Sequence, residues 1–150
     1  MRQARGGWEE WQRMMRAQAG DQAAVLVPRP GYPIYELTAP PLGPVQVTEF
    51  GSFNGQWTSV VLSYGEPDAE AGPRATVATV ARHNGVVSSS SSDRAPDATS
   101  VREFENVTVT IATWGVAMDA VRIAPVRDMH QVIEASVEAT IQFIERRRRA

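Results

Sequence analysis

The chain has 150 residues, 43% of them hydrophobic, and a formal net charge of −2, values typical of a single globular domain that spans residues 1–150. All fifteen Lys and Arg positions are Arg, and Cys is absent as well, which excludes lysine Schiff bases, P-loop lysines, thiolate nucleophiles, disulfides and cysteine-ligated metals. Seven Arg face fifteen acidic residues between positions 17 and 145, while Arg146 to Arg149 nearly end the chain, and this acidic body with basic ends does not fit a broad nucleic-acid-binding surface.

A helix is predicted near the N-terminus. Trp8, Trp11 and Met15 recur on one helical face, and Gly20 is a suitable residue to end the helix. The tryptophan stripe can bind a partner, but such a face more often packs on the protein's own sheet. We expect the second arrangement.

The clearest hairpin covers residues 45–64 and turns at Asn54-Gly55, a pair that suits a type I′ turn. A two-residue loop at this position pairs Val47 with Leu62 and fixes the register of both strands.

Strict alternation along the two strands predicts which side chains share a face. The core face receives five apolar side chains: Val45, Val47, Val60, Leu62 and Tyr64. The opposite face receives three others: Phe50, Trp57 and Val61. Because such a face is too apolar for water, we expect a helix, a further strand or a partner to cover it.

Period-two patterns predict further strands at residues 33–38, 74–82, 107–113 and 117–124. The serine-rich segment 88–99 predicts a long flexible loop. The resulting order is a helix, an antiparallel β-meander of five to six strands and a long C-terminal helix, which is typical of an α+β fold.

The C-terminal helix has the strongest local signals. Asp128 is placed to cap it, and apolar residues recur at helical spacing over residues 129–148. A helix of that length is about 30 Å long, enough to cross a small sheet. Cations at a helix C-terminus complement the helix dipole, so we expect Arg146 to Arg149 to stabilise the helix end and not to bind phosphates.

The two histidines are the first candidates for chemistry. His130 lies one turn before Glu134, and groups at i and i+4 can bind a metal or form an acid–base pair. No third ligand is identifiable from spacing, so we expect His130 to be a surface or boundary residue. His83 precedes the Asn84-Gly85 turn, and no motif ties a nucleophile or a carboxylate to it. We therefore expect no catalytic residue, no metal and no cofactor.

Two carboxylates are the next candidates. Glu103 and Glu105 flank Phe104 at a predicted strand start. Paired carboxylates can perform acid–base work, but on an edge strand they more often prevent edge-to-edge aggregation. We expect the second role.

The apolar runs and the N-terminal residues bear on location. The longest apolar run is Ala23 to Val27, too short to span a bilayer. The first twenty residues carry Trp, Glu and Arg where a secretory signal needs a continuous apolar stretch. With no disulfides either, we expect a cytoplasmic protein and no membrane partner. The use of Arg without Lys also indicates a GC-rich bacterial genome.

The sparse catalytic inventory and the acidic body predict a non-enzymatic protein-binding module that neutralises a basic partner protein, as a toxin antidote does. A ligand or partner surface is predicted at these residues: Trp8, Trp11, Phe50, Trp57, Tyr64, Trp114 and His130. An exposed Phe50/Trp57 face or an unpaired edge strand also favours a two-fold homodimer. Nucleic acid is not an expected partner.

The alternative function is a small-molecule-binding carrier or an enzyme, with an apolar pocket between the sheet and the C-terminal helix. Trp57, Trp114, Tyr64 and Met118 would line such a pocket. A deep cavity near Tyr64 or His130 favours this alternative, whereas a filled core contradicts it.

Overall fold

The computed structural model describes residues 2–25, 31–66, 72–82 and 95–149. The fold is α+β, as predicted. Its helices in the described ranges are α1 (Arg2–Val25), α2 (Met129–Arg149) and a 3-10 helix (Met118–Ala120). Its strands are β1 (Tyr35–Ala39), β2 (Val45–Phe53), β3 (Gln56–Tyr64), β4 (Arg74–Ala81), β5 (Ala98–Glu103), β6 (Val107–Trp114) and β7 (Arg122–Pro125).

The strands form two antiparallel sheets. The main sheet has the order β2-β3-β4-β6-β5, and β1 pairs with β7 in a separate two-stranded sheet. Strands β2 to β4 form the predicted meander, but β5 lies outside β6, so the connection from β4 to β5 skips one position. This order makes β2 and β5 the two edges of the main sheet.

The hairpin between β2 and β3 has the predicted turn and end registers. Asn54 and Gly55 have φ values of 52° and 73°, the positive values that a type I′ turn requires. Val47 pairs with Leu62, and Phe53 pairs with Gln56 next to the turn. The Asn-Gly signal therefore predicts the pairing at both ends of this hairpin correctly.

The predicted faces are wrong between the first bulge and the turn. Register shifts occur between Val47 and Glu49 and between Gly51 and Ser52, so each strand contains one unpaired residue. A bulge reverses the side-chain alternation beyond it. Phe50 and Trp57, predicted on the outer face, instead pack on the core cluster. The uncovered aromatic face that favoured a homodimer is therefore not present.

Thr48 and Gly51 accommodate these bulges. The Thr48 hydroxyl lies 2.9 Å from the Ser63 hydroxyl and so ties the first bulge to β3. At Gly51, a Cβ atom would lie 2.7 Å from the Ser59 Oγ and 2.8 Å from the Thr58 Oγ1. Only glycine fits there without a shift of these neighbours.

Helix α2 begins as predicted and closes one side of the sheet. The Asp128 carboxylate accepts hydrogen bonds from the backbone N–H groups of His130 at 3.0 Å and Gln131 at 3.3 Å, as an N-cap residue does. The buried face of the helix includes Ile133, with 2% of its surface exposed, and Ile141, with 4%. Helix α2 also contacts the edge strand β2.

Helix α1 runs antiparallel to α2. Arg16 forms an ion pair with Glu138, and Arg148 lies over the ring of Trp8, so the start of one helix meets the end of the other. The helix continues to Val25 and does not stop at Gly20 as predicted. Ala19, next to Gly20, is buried in the core cluster, and this packing offsets the cost of about 1 kcal/mol for a mid-helix glycine.

Strand β1 crosses the core face of the main sheet. The backbone N–H of Tyr35 donates to the Thr79 hydroxyl, and that of Leu37 donates to the Tyr64 hydroxyl, each at 3.0 Å. Both bonds are buried. Side chains of the main sheet therefore accept hydrogen bonds from the backbone of β1 on the side away from β7, where no described strand pairs with it.

Two other predictions need correction. The strand predicted at 117–124 is a 3-10 helix followed by the shorter β7. The loop predicted at 88–99 ends earlier, because Ala98 and Thr99 already belong to β5; residues 88–94 lie outside the described ranges. Glu103 consequently ends β5, and Glu105 lies in the turn before β6, so the two carboxylates do not share a strand.

Candidate functional site

Three of the six aromatic residues proposed as a ligand or partner surface are buried. Trp57 has 7% of its surface exposed, Tyr64 8% and Trp114 6%. Trp114 lies beneath the guanidinium of Arg74, at 5.2 Å from its Cζ atom to the ring centre. The structure does not bring these side chains together on an accessible surface.

Tyr64 is part of the buried core cluster. Its hydroxyl accepts the Leu37 N–H, and burial raises the pKa of Tyr64 to about 12. A hydroxyl that is protonated and already bonded to the backbone acts as a structural anchor for β1.

Trp8 and Trp11 are half-buried members of the predicted set. Their rings stack with centres 5.1 Å apart, and both rings are half-buried against the core cluster. An open crevice of about 300 Å³ is lined by Trp8, Glu145, Arg148 and Arg149. The Arg148 Cζ atom lies 4.7 Å from the ring centre of Trp8, so one cation already occupies the aromatic face.

Two of the four C-terminal arginines contact other parts of the fold, and a third lies over an aromatic ring of its own helix. Arg146 forms an ion pair with Glu66 at 3.3 Å, Arg147 lies over Phe143, and Arg148 lies over Trp8. These contacts are consistent with the structural role predicted for this segment.

His130 is an exposed residue in the first turn of α2. Its Nε2 atom lies 3.9 Å from Glu134 Oε1, and both side chains are about two-thirds exposed. Among the described residues, no group of three or more His, Cys, Asp or Glu side chains could hold a metal ion. His83 lies outside the described residues. The predicted His130–Glu134 pair therefore exists, without a third group beside it in that part of the chain.

The outer edge of β5 is a feature that the sequence did not indicate. Phe104 donates its backbone N–H to Val107 O, and hydrogen bonding alternates along an antiparallel strand. Ala98, Ser100 and Arg102 therefore direct their backbone groups toward β6. The backbone groups of Thr99, Val101 and Glu103 point away from the sheet, where no described strand pairs with them.

The side chains at this edge are apolar and acidic. Val101 has 62% of its surface exposed, and the Glu103 side chain has 67%. Three further exposed carboxylates surround the strand: Asp97, Glu105 and Asp119. Asp119 lies in the 3-10 helix, which contacts β5. Two arginines also lie nearby. Arg82 forms an ion pair with Glu103 at 3.6 Å, and Arg102 is half-buried. We call this surface the β5 edge.

A second pocket lies where α1, α2 and β2 meet. Its volume is about 200 Å³, and its lining residues carry no charge: Met15, Gln18, Ala19, Val47, Ile133, Ser136, Val137 and Thr140. The Ser136 hydroxyl accepts the Val47 N–H at 2.8 Å. The pocket is open to one side of the helix pair and is lined by neither Tyr64 nor His130.

The chain matches no protein-family model. Comparisons with curated proteins and with solved structures also give no match. None of the described helices is long and apolar enough to cross a membrane.

Proposed function

We propose that this chain is a non-enzymatic protein-binding module that binds, and so neutralises, a basic partner protein. The observation that carries the proposal is the β5 edge, where an exposed valine and four exposed carboxylates accompany a stretch of backbone with which no described strand pairs. Acidic side chains steer and orient a basic partner, and an apolar contact at the centre supplies affinity.

The contrast between the two edges of the sheet supports this proposal. At β2, helix α2 covers the strand and Ser136 satisfies a backbone donor. At β5, the described chain supplies no such cover. Proteins commonly close or blunt their exposed edges, so an open edge with a directional charge pattern is a suitable place for another protein to bind.

Affinity capture with matched charge variants tests the proposal. The wild-type chain and the double variant Glu103→Gln/Glu105→Gln are immobilised and exposed to the native lysate. The matched control is Glu9→Gln/Glu10→Gln, which removes the same charge from the exposed surface of α1. We expect a stoichiometric basic protein on the wild type and on the control, with much less on the β5-edge variant.

Salt dependence provides a second readout of the same experiment. Because exposed charges are screened as ionic strength rises, the captured protein should bind the wild type more weakly at high salt. The proposal is wrong if no stoichiometric protein is recovered, or if the two double variants lose binding equally.

The α1–α2–β2 pocket favours a second candidate function, a carrier of a small uncharged molecule. The pocket is close to the predicted position between the sheet and the C-terminal helix, although it involves the edge strand β2 and not the centre of the sheet. A volume of about 200 Å³ exceeds the 150 Å³ or so that holds a benzene ring in an engineered cavity.

Native mass spectrometry of the chain purified under mild conditions tests this candidate. A bound small molecule that Ala19→Phe displaces would support a carrier, because a larger side chain there fills the pocket. Detection of the unliganded mass alone, together with no change in thermal stability on adding phenol as a probe, would contradict it.

A further inference from the structure

We infer that the partner contributes a basic, extended segment, which pairs with the outer edge of β5 as a sixth strand of the main sheet. This inference rests on the proposed function and goes further, because it names the partner's conformation and the register of its side chains. Strand addition satisfies backbone groups on both chains, and side-chain contacts then select the partner.

The backbone of β5 provides the first step. Thr99, Val101 and Glu103 alternate with residues bonded to β6, so each presents an outward N–H and an outward C=O. Strand β5 has six residues and is therefore about 20 Å long. An incoming strand of similar length can bond to all three outward residues.

The charges near β5 select a foreign strand over a second copy of this chain. Two copies paired antiparallel about Val101 would bring the Asp97 end of each β5 beside the Glu105 end of the other, although neither residue belongs to the strand itself. The exposed carboxylates of both copies would then lie along one seam, and such like charges repel each other across an interface. A basic strand meets the same carboxylates with opposite charge, so the exposed carboxylates favour a basic partner strand.

The side chains of β5 also define the pattern of the partner strand. Thr99, Val101 and Glu103 project from the exposed face of the strand, and directly opposite residues of an antiparallel pair project from the same face. The residue opposite Val101 should therefore be apolar and the residue opposite Glu103 basic. Arg102 projects from the other face, so the residues that alternate with these two should be neutral.

Titration with a peptide of this pattern tests the inference. The probe is Gly-Thr-Arg-Thr-Val-Thr-Arg-Thr-Gly, and the control peptide has Glu in place of both Arg. Isotope-labelled full-length chain is titrated with each peptide and observed by amide NMR. We expect the basic peptide to shift the amides of Thr99, Val101 and Glu103 and to slow their hydrogen exchange, and the acidic peptide to do neither.

The variant Val101→Pro separates strand pairing from simple charge attraction. Proline removes an outward N–H and is tolerated on a sheet edge, so the sheet should remain folded while peptide affinity falls about tenfold or more. Glu103→Gln should weaken binding of the peptide as well. If Glu103→Gln weakens binding and Val101→Pro does not, the acidic surface binds the peptide without strand addition and the inference fails while the proposed function stands.

Two other results would overturn the inference. One is a peptide-induced shift confined to α1 and α2. The other is a dimer of the free chain in light scattering that Val101→Pro dissociates, since it would mean that a second copy occupies the edge. If neither variant weakens binding of the captured basic protein, the proposed function at this surface fails as well.

Discussion

The backbone N–H of Val47 donates a hydrogen bond to the Ser136 hydroxyl at 2.8 Å, and this bond joins the edge of β2 to α2. An edge N–H that lost its acceptor in this partly buried position would remain unsatisfied. We therefore expect Ser136→Ala to lower the free energy of unfolding by about 1–2 kcal/mol in urea denaturation. This loss should exceed the gain from the better helix propensity of alanine.

Thr140→Val is the matched control for that variant. It removes a hydroxyl one turn further along α2, which accepts a hydrogen bond from the Gln46 side chain at 3.1 Å. A partly exposed side-chain amide can turn to water, so we expect a loss of less than about 1 kcal/mol. A larger loss from Thr140→Val than from Ser136→Ala would show that α2 does not protect this edge.

Thr113 and Thr79 form a second matched pair. Both are fully buried on the core face, in β6 and β4. The Thr79 hydroxyl accepts the Tyr35 N–H, whereas the Thr113 hydroxyl has no hydrogen-bond partner among the described residues. We expect Thr113→Val to raise the free energy of unfolding by about 1 kcal/mol and Thr79→Val to lower it by about 1–3 kcal/mol. Equal losses in urea denaturation would contradict this assignment.

Tyr64 should make the fold sensitive to alkali. Burial raises its pKa from 10.0 to about 12, so the folded state favours the protonated hydroxyl. Its contribution is complete below pH 10 and is lost as the pH rises through about 12. Two pKa units correspond to about 3 kcal/mol. Stability measured by urea denaturation across this range should fall accordingly.

The absence of lysine makes that experiment unusually direct. Because the chain has no lysine, no ammonium group loses its proton in the range between pH 10 and pH 12 where Tyr64 acts. Tyr64→Phe should be less stable at neutral pH, because Leu37 loses its acceptor, and should lose less stability in alkali. Tyr35, whose pKa burial also raises, accounts for part of the remaining slope. An unchanged slope in Tyr64→Phe would contradict the prediction.

Proline substitutions test the orientation of β5. Val101→Pro removes an outward N–H and should cost less than about 1 kcal/mol of stability, because an edge strand tolerates proline there. Ser100→Pro removes an N–H directed toward Ile111 in β6 and should cost about 3 kcal/mol or more. Thermal and urea denaturation of the two variants measure these two losses of stability. A larger loss from Val101→Pro than from Ser100→Pro would mean that the outward residues are misassigned.

Sequence reasoning predicted the elements whose signals are local. Asp128 and the apolar spacing after it predicted α2, because capping and helical periodicity depend on neighbours in the chain. Asn54-Gly55 predicted the β2–β3 register at both ends. The faces toward the turn were wrong because each strand contains one bulge, which reverses the faces of that strand beyond it, while the two bulges together leave the pairing at the turn unchanged. Alternation alone does not reveal such a compensating pair.

The candidate site was less predictable than the fold. Strand β5 has Thr99, Val101 and Glu103 on one face and Ala98, Ser100 and Arg102 on the other, so it has no apolar face that would indicate a strand. Its edge position depends on the order β4-β6-β5, a tertiary property. The tryptophans and Tyr64, which the sequence favoured as a surface, are mostly core residues because large aromatic side chains supply much of a small core.

Hydrogen exchange of the full-length chain, alone and saturated with its captured partner, tests the central claim most directly. The partner should slow amide exchange at Thr99, Val101 and Glu103, whose N–H groups point outward from β5, while the amides of Ser100 and Arg102 change little. Slowed exchange confined to α1 and α2, with these three amides unchanged, would contradict the claim that the β5 edge binds the partner.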